Sequence, residues 1–189
     1  MMKTLAAVVL SAGAAHAAPE SYAIDKTHSQ AVFTFDHHGF APVTGMLGGI
    51  TGQIVFDAEA PETSTVTAEI PLSTLATGFA PRDEDMTSSD FLDAEGSPVV
   101  TFRSTSVKVT GTNRALITGD LTIKDITREV VLDTVLNKSA PSADGTPTIG
   151  LEATTTLLRS DFDAGRSAPA NSDAVEVRLA IEAEAATGN

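Results

Sequence analysis

Four histidines, a group of aspartates and three arginines are the side chains of this sequence that could do chemistry. His37 and His38 invite a metal reading. Neighbours on a strand point to opposite faces, so both can meet one ion only where a strand ends. No H-x-H or H-E-x-x-H spacing accompanies them, and a metal centre takes three or four ligands. Polar residues at the rim of a sheet account for the pair more simply. Asp83, Asp85 and Asp90 could serve as acid–base carboxylates, but no nucleophile is spaced to work with them. Ser160-Asp161 with His28 has the residue types of a triad and no spacing that would assemble one. There is no cysteine, which removes thiolate nucleophiles, thiolate metal sites and disulfides together. Arg82, Arg103 and Arg159 remain as groups that could offset a negatively charged group, and Arg103 alternates away from Phe102, toward solvent.

The elements that must position these residues are nearly all strands. Ser29, Ala31, Phe33, Phe35 and His37 alternate with Gln30, Thr34 and Asp36, a period of two with one apolar side. His37 to Pro42 breaks that run. Met46 to Asp57 follows, with Ile50, Ile54 and Phe56 on one face and a crowd of glycines that predicts a bulge or a sharp bend. Further runs cover Val66 to Ile70, Val99 to Phe102 and beyond, Ala115 to Ile123, Glu129 to Leu136, Leu151 to Leu157, and Val175 to Ile181. The facing of Glu129 to Leu136 is ambiguous, because it is apolar on both sides. Gly111-Thr112-Asn113 reads as a hairpin turn, and Ser139 to Pro147 and Asp163 to Ser172 as loops.

One stretch breaks the strand pattern. In Phe79 to Phe102, Pro81 suits the first turn of a helix, and Asp83, Glu84 and Asp85 place negative charge near its positive end. Met86, Phe91 and Leu92 give it an apolar side. The stretch reads as a helical flap across the end of a β-structure, hinged at Arg82 and Asp83. Eight antiparallel strands with short connections can close into a barrel or stack as a sandwich. Strand length and glycine bends favour an all-β, eight-stranded antiparallel barrel. Strands of about twelve residues, roughly 40 Å long, would enclose a tube near 30 Å tall when tilted by about 40°.

Composition bounds the rest. Lys3, the apolar run Leu5 to Leu10 and the small residues ending Ala15-His16-Ala17 have the layout of a secretory signal peptide over residues 1–17, leaving one domain over 18–189. The apolar run is too short to span a bilayer, and no stable membrane insertion is expected. Acidic residues outnumber basic ones 25 to 12, for a net charge of −13, a surface that repels nucleic acid and anionic headgroups. The apolar face could be a dry, filled core. Equally, the small residues Ala31, Gly52, Ala68, Ala115, Gly119 and Ala153 among the large ones, with no tryptophan, would leave room for a ligand. The residues alone leave filled core and tunnel level.

A resemblance separates them. Arg82-Asp83, Ser89-Asp90-Phe91, Ser97-Pro98 and Thr101-Phe102 with Ser104-Thr105 resemble the signature of the YceI-like family. So do Tyr22-x-Ile24-Asp25-x-x-His28-Ser29, Gly119-Asp120-Leu121-Thr122-Ile123 with Thr127, and Arg159-Ser160-Asp161-Phe162. The matches span residues 22–181. The resemblance implies an elongated lipocalin-like barrel, a periplasmic location and a tunnel that binds polyisoprenoids or related amphiphiles such as an isoprenoid quinone. Family members often carry a histidine where Asp85 stands, so that headgroup donor is missing. The expected ligand-binding residues are Phe33, Phe35, Ile54, Phe56, Phe79, Arg82, Met86, Phe91, Phe102, Leu121, Ile123, Ala153, Leu157, Val177 and Leu179. A binding protein rather than an enzyme is expected, with no cofactor, no nucleic-acid partner, and a homodimer left open. The alternative is a secreted hydrolase or a metal-dependent enzyme using His28, His37 or Asp83.

Overall fold

A computed structural model describes residues 18–186. The expected signal peptide and its cleavage site up to Ala17 lie outside the described residues. Ten strands are present: β1 (Glu20–Ile24), β2 (Gln30–His37), β3 (Ala41–Leu47), β4 (Thr51–Phe56), β5 (Thr65–Pro71), β6 (Val99–Gly111), β7 (Arg114–Ile123), β8 (Ile126–Pro141), β9 (Pro147–Leu158) and β10 (Ala174–Ala185). One α-helix, α1 (Ala80–Thr87), lies between β5 and β6. No helix among the described residues is long and apolar enough to cross a membrane.

The ten strands make eight staves of a closed antiparallel barrel. β1 and β2 share one edge of β10, pairing Ile24 with Ala183 and Gln30 with Ala180. They are therefore one stave, interrupted at Asp25–Ser29. β3 and β4 likewise form one stave against β2 and β1, interrupted at Gly48–Ile50. The remaining pairings run from β4 through β5, β6, β7, β8 and β9 to β10, which closes the ring on β1. The sequence reading of eight strands thus holds, but boundaries shift, and residues 139–141, expected as part of a loop, belong to β8. The first stave begins at Glu20, and Ala41–Pro42, expected as part of a break, opens β3.

Each interruption has a local cause. At the first, Asp25 Oδ1 accepts from the N–H and hydroxyl of Thr27, closing a tight polar turn. Ser29, almost fully buried, donates its hydroxyl to Glu182 O and accepts from Glu182 N–H, standing in for a backbone pairing partner. The D-x-x-H-S pattern of the sequence is this stitch. At the second, Thr74 accepts from Gly48 N–H and donates its hydroxyl toward Gly48 O. Just beyond it Gly52 takes φ +144°, and a Cβ there would come within 2.0 Å of Thr67 O, so only glycine lets β4 close on β5.

The apolar face forms three clusters rather than one packed body. Tyr22, Ile24, Ala31, Ile50, Ile54, Ile149 and Ala183 make a floor toward the end remote from the flap. Leu72, Val100, Phe102, Ile117, Leu121 and Phe162 line one wall. Phe33, Phe35 and Leu75 join Met86 and Leu92 of the flap segment and Val175 and Val177 of β10 at the other end. The ambiguous stave is settled by its neighbours. Val130, Leu132 and Thr134 of β8 turn inward, while Val131 is left 45% exposed.

Candidate functional site

Between these clusters lies a cavity of about 410 Å³. Many apolar side chains on its wall, among them Val66, Ile70, Val177, Leu179 and Ile181, are only half-buried although they point into the barrel, because they face space rather than one another. Thirteen of the fifteen expected ligand residues line it: Phe33 and Phe35 on β2, Ile54 on β4, Phe102 on β6, Leu121 and Ile123 on β7, Ala153 and Leu157 on β9, Val177 and Leu179 on β10, and Arg82, Met86 and Phe91 from the flap.

The other two do not line it. Phe56 shares a face with Ile54 but lies at the end of β4, where it packs against the floor cluster, below the cavity. Phe79 stands where the chain leaves the barrel after Gly78, at φ +79°, and is 57% exposed with the Arg82 guanidinium 5.9 Å from its ring centre. Gly119, taken above as making room, is absent from the lining. The Phe102 ring covers it, and a Cβ there would meet ring carbon at 2.4 Å and Arg103 O at 2.6 Å.

The flap is built as the sequence suggests, with one partner that the sequence did not show. Pro81 occupies the first turn of α1, and Met86 faces the cavity. The expected hinge residues Arg82 and Asp83 both grip Thr77. Arg82 Nε donates to Thr77 Oγ1 at 2.8 Å and Nη2 to Thr77 O at 3.0 Å. Asp83 Oδ1 accepts from Thr77 N–H at 2.9 Å and from its hydroxyl at 2.5 Å. After α1 the chain folds back through tight turns, placing Phe91 and Leu92 at the cavity. An ion pair between Asp90 and Arg166 ties this far end of the flap to the loop that follows β9.

The charged lining concentrates at the flap end. Arg82 and Asp85 come from the flap, and Arg159 from a short 3-10 turn after β9. Glu152, also on the lining, directs its carboxylate to Arg178 at 2.5 Å. Arg159 is part of a recognised motif and one of the three arginines that could offset a charged group, though it is not among the fifteen expected ligand residues. Its Nε and Nη2 donate to Ser172 O, Nη2 also to Asn171 O, and Nη1 to Ser167 Oγ, so it pins the β9–β10 loop beside the mouth. Its guanidinium also lies over Phe35, 5.7 Å from the ring centre. Burial lowers its pKa, and the charge of Asp173 opposes that shift. Leu92 lines the cavity with Met86 and Phe91, and Leu72, Leu75, Phe162 and Asn171 line it unforeseen. They lie in turns and loops, where strand alternation gives no facing.

The catalytic alternatives are not assembled. His28 sits at the first stave interruption, where Nδ1 meets Asp25 Oδ2 at 2.5 Å and Glu182 Oε1 at 4.0 Å. Its short contact is within its own turn. The Asp25 hydrogen bond raises the His28 pKa, and Thr27 and then His28 hold Asp25 down to about 2. Asp25, His28 and Glu182 bring ligand atoms within 4.8 Å of one another, a grouping that no spacing motif announced, and a cation would have to displace these bonds. His37 lines the cavity and stacks edge-on against His38, while Asp83 is held by Thr77. Ser160 Oγ donates to Asp173 Oδ2 at 2.6 Å, not to a histidine.

Fold and site together define a closed antiparallel barrel with an apolar interior cavity, covered at one end by the α1 segment, where Arg82, Asp85 and Arg159 meet. The chain belongs to the YceI-like family, whose domain model matches residues 22–183. It is 36% identical over 186 residues to a UPF0312 protein of Ectopseudomonas mendocina, covering 96% of this chain and 97% of that one. Among solved structures it resembles BcnA of Burkholderia cenocepacia, with a TM-score of 0.76 at 20% identity over 84% of this chain and 98% of the other. The YceI protein of Campylobacter jejuni gives a TM-score of 0.71 at 25% identity, covering 80% and 90%. A polyisoprenoid-binding domain from Saccharophagus degradans, described as implicated in plant cell wall breakdown, gives 0.65 at 15% identity, covering 88% and 99%.

Proposed function

We propose that this protein is a binding and carrier protein for an amphiphilic lipid of the isoprenoid class, a polyisoprenoid or an isoprenoid quinone, held tail-inward in the barrel. The observation that carries this reading is the polarity of the cavity: apolar side chains from all eight staves, with the charged groups Arg82, Asp85 and Arg159 together at the flap end. A tail removed from water there gains about 0.8 kcal/mol for each CH₂ buried. The likeness to a polyisoprenoid-binding domain supports the ligand class. Family membership supports binding rather than turnover, since the nucleophile and base candidates are engaged elsewhere.

The proposal includes export. The layout of residues 1–17 supports delivery to the periplasm, where a carrier for water-insoluble lipids would work between membranes. Native mass spectrometry of protein recovered from the periplasm, followed by lipid extraction, tests the reading. A co-purifying isoprenoid of stoichiometric amount is expected. Protein that binds neither its own extracted lipids nor added polyprenols would refute it, and turnover of chromogenic esters would move it to the hydrolases.

A further inference from the structure

The end of the barrel that carries the flap also carries exposed apolar side chains. β2 and β3 meet there in a turn, and Phe40 at that turn is 89% exposed. The turn does not need its ring. Phe40 N–H donates to His37 O, Gly39 N–H donates to Asp36 Oδ1, and His38 and Gly39 take positive φ, so backbone and aspartate shape the turn while the ring is left in solvent. Phe79 reaches the same rim along β3. An antiparallel bridge between Met46 and Ala76 lays the chain beside β3, and from there it runs toward the Ala41 end. Leu158, 44% exposed, ends β9 where the β9–β10 loop begins, and His38 N–H donates to Ala170 O of that loop. β9, β10, β2 and β3 are neighbours in the ring, so Leu158, Phe40 and Phe79 share one arc of the rim. Exposed apolar residues scattered singly need no explanation, but three on one arc beside the mouth of an apolar cavity mark an interaction site.

We propose that this arc docks reversibly on the surface of a neutral, zwitterionic lipid bilayer, with the Phe40 and Phe79 rings seated among the headgroups and the mouth of the cavity held against them. The inference rests on the lipid-binding reading for its purpose: a tail that passes straight from bilayer to cavity never exposes its CH₂ groups to water. Phenylalanine and leucine are side chains that bury at the boundary between headgroups and acyl chains. Charge selects the kind of membrane. At a net charge of −13 the protein is repelled by anionic headgroups and not by zwitterionic ones. A second copy of the chain is a poorer occupant. It would bring the same negative charge, and three side chains fall short of the roughly 800 Å² per partner that a stable interface buries.

The chain has no tryptophan, so Phe40→Trp places a single reporter on the arc. Val109→Trp, near the β6–β7 turn at the opposite end, is its control, since Val109 is also exposed. Vesicles of phosphatidylcholine without any isoprenoid are titrated into the mature protein. The emission of Phe40→Trp should shift to the blue, and that of Val109→Trp should not. Mixing phosphatidylglycerol into the vesicles should reduce the shift, and added salt should restore it by screening the repulsion. In vesicle flotation Phe40→Ser should bind about tenfold less than the unaltered protein, the effect of losing one ring from an apolar environment. Its affinity for soluble geranylgeraniol should stay as it was, because Phe40 is not on the cavity lining. No shift at Phe40→Trp, an equal shift at both positions, tighter binding to the anionic vesicles, or undiminished flotation of Phe40→Ser would overturn the inference. So would a shift that follows protein concentration without vesicles, which is the result a second copy would give. These outcomes leave lipid binding intact, because the vesicles carry no ligand. Should Phe40→Ser not fold, the two reporter variants decide the matter. Failure of the unaltered protein to bind geranylgeraniol would instead overturn the lipid-binding reading, and this inference with it.

Discussion

Replacing Ala153 by phenylalanine should weaken lipid binding far more than replacing Arg82 by alanine. Ala153 sits mid-way along β9, paired with Thr134 of β8 and Leu179 of β10, and its methyl group faces the cavity. A phenyl ring there takes room equivalent to about one five-carbon isoprene unit. At about 0.8 kcal/mol per CH₂, less the cost of ordering a tail, that is about 3 kcal/mol, or roughly a hundredfold in Kd. Arg82→Ala removes a group whose Nε and Nη2 are bonded to Thr77 rather than held free for a headgroup. Its direct share of affinity is one hydrogen bond, about 1 kcal/mol or fivefold. The chain has no tryptophan and a single tyrosine, so binding is best followed by displacement of an environment-sensitive dye or by native mass spectrometry. Circular dichroism and Tm should show Ala153→Phe folded, because the side chain is on the cavity wall, with a cost of at most the ~1–3 kcal/mol of overpacking a buried position. Normal binding by folded Ala153→Phe, with binding abolished in Arg82→Ala, would mean that the lipid is held by its head at the flap and that the cavity is not its seat.

Gly119→Leu should destabilise the barrel by about 3 kcal/mol or more rather than fill the cavity, since even a Cβ collides with the Phe102 ring and Arg103 O; denaturant unfolding checks this. Thr77→Val removes the hydroxyl that joins Arg82 to Asp83, and should speed ligand exit roughly tenfold in stopped-flow release, with a smaller effect on fold stability. The pH dependence of stability should carry a His28 signature. Because the folded pKa of His28 is raised above its ordinary 6.5, its contribution is complete below that value and is lost as pH rises through the raised pKa. Asp25, lowered from 3.8 to about 2, contributes above 3.8, and that is lost as pH falls through about 2. His28→Gln should therefore flatten the decline of Tm above pH 6.5 and reduce the acid limb only in part, because the Thr27 bonds still hold Asp25 down; an unchanged alkaline slope would refute the pairing. Intact-mass measurement of exported protein should give Ala18 as the first residue, and retention of Met1 would count against the cleavage reading.

Alternation alone determined much of this molecule. In β2, β6, β7, β9 and β10 a period of two assigns each side chain to a face, and most of the residues so assigned, among them Phe33, Phe102, Leu121, Ala153 and Leu179, line the cavity, though Ala115 and Gly119 of β7 do not. Proline at the first turn of α1 and apolar residues on one side of the flap likewise marked an element that differs from its surroundings. What the sequence left level was whether the inner face closes on itself. That depends on the separation between opposite walls, a property of the closed ring and not of any strand.

The tertiary structure decided three further matters. Stave boundaries moved because β1 with β2, and β3 with β4, become continuous only when β10 and one another supply their edges. Gly119 and Phe56 have the right parity for the cavity, yet Phe102 covers the first and the floor cluster takes the second. Parity fixes a face but not a depth along the barrel. Finally, Thr77 and Arg159 act from turns and loops, where no period governs direction. Their roles follow from partners five to thirteen residues away, brought together only when the flap and the β9–β10 loop meet across the mouth.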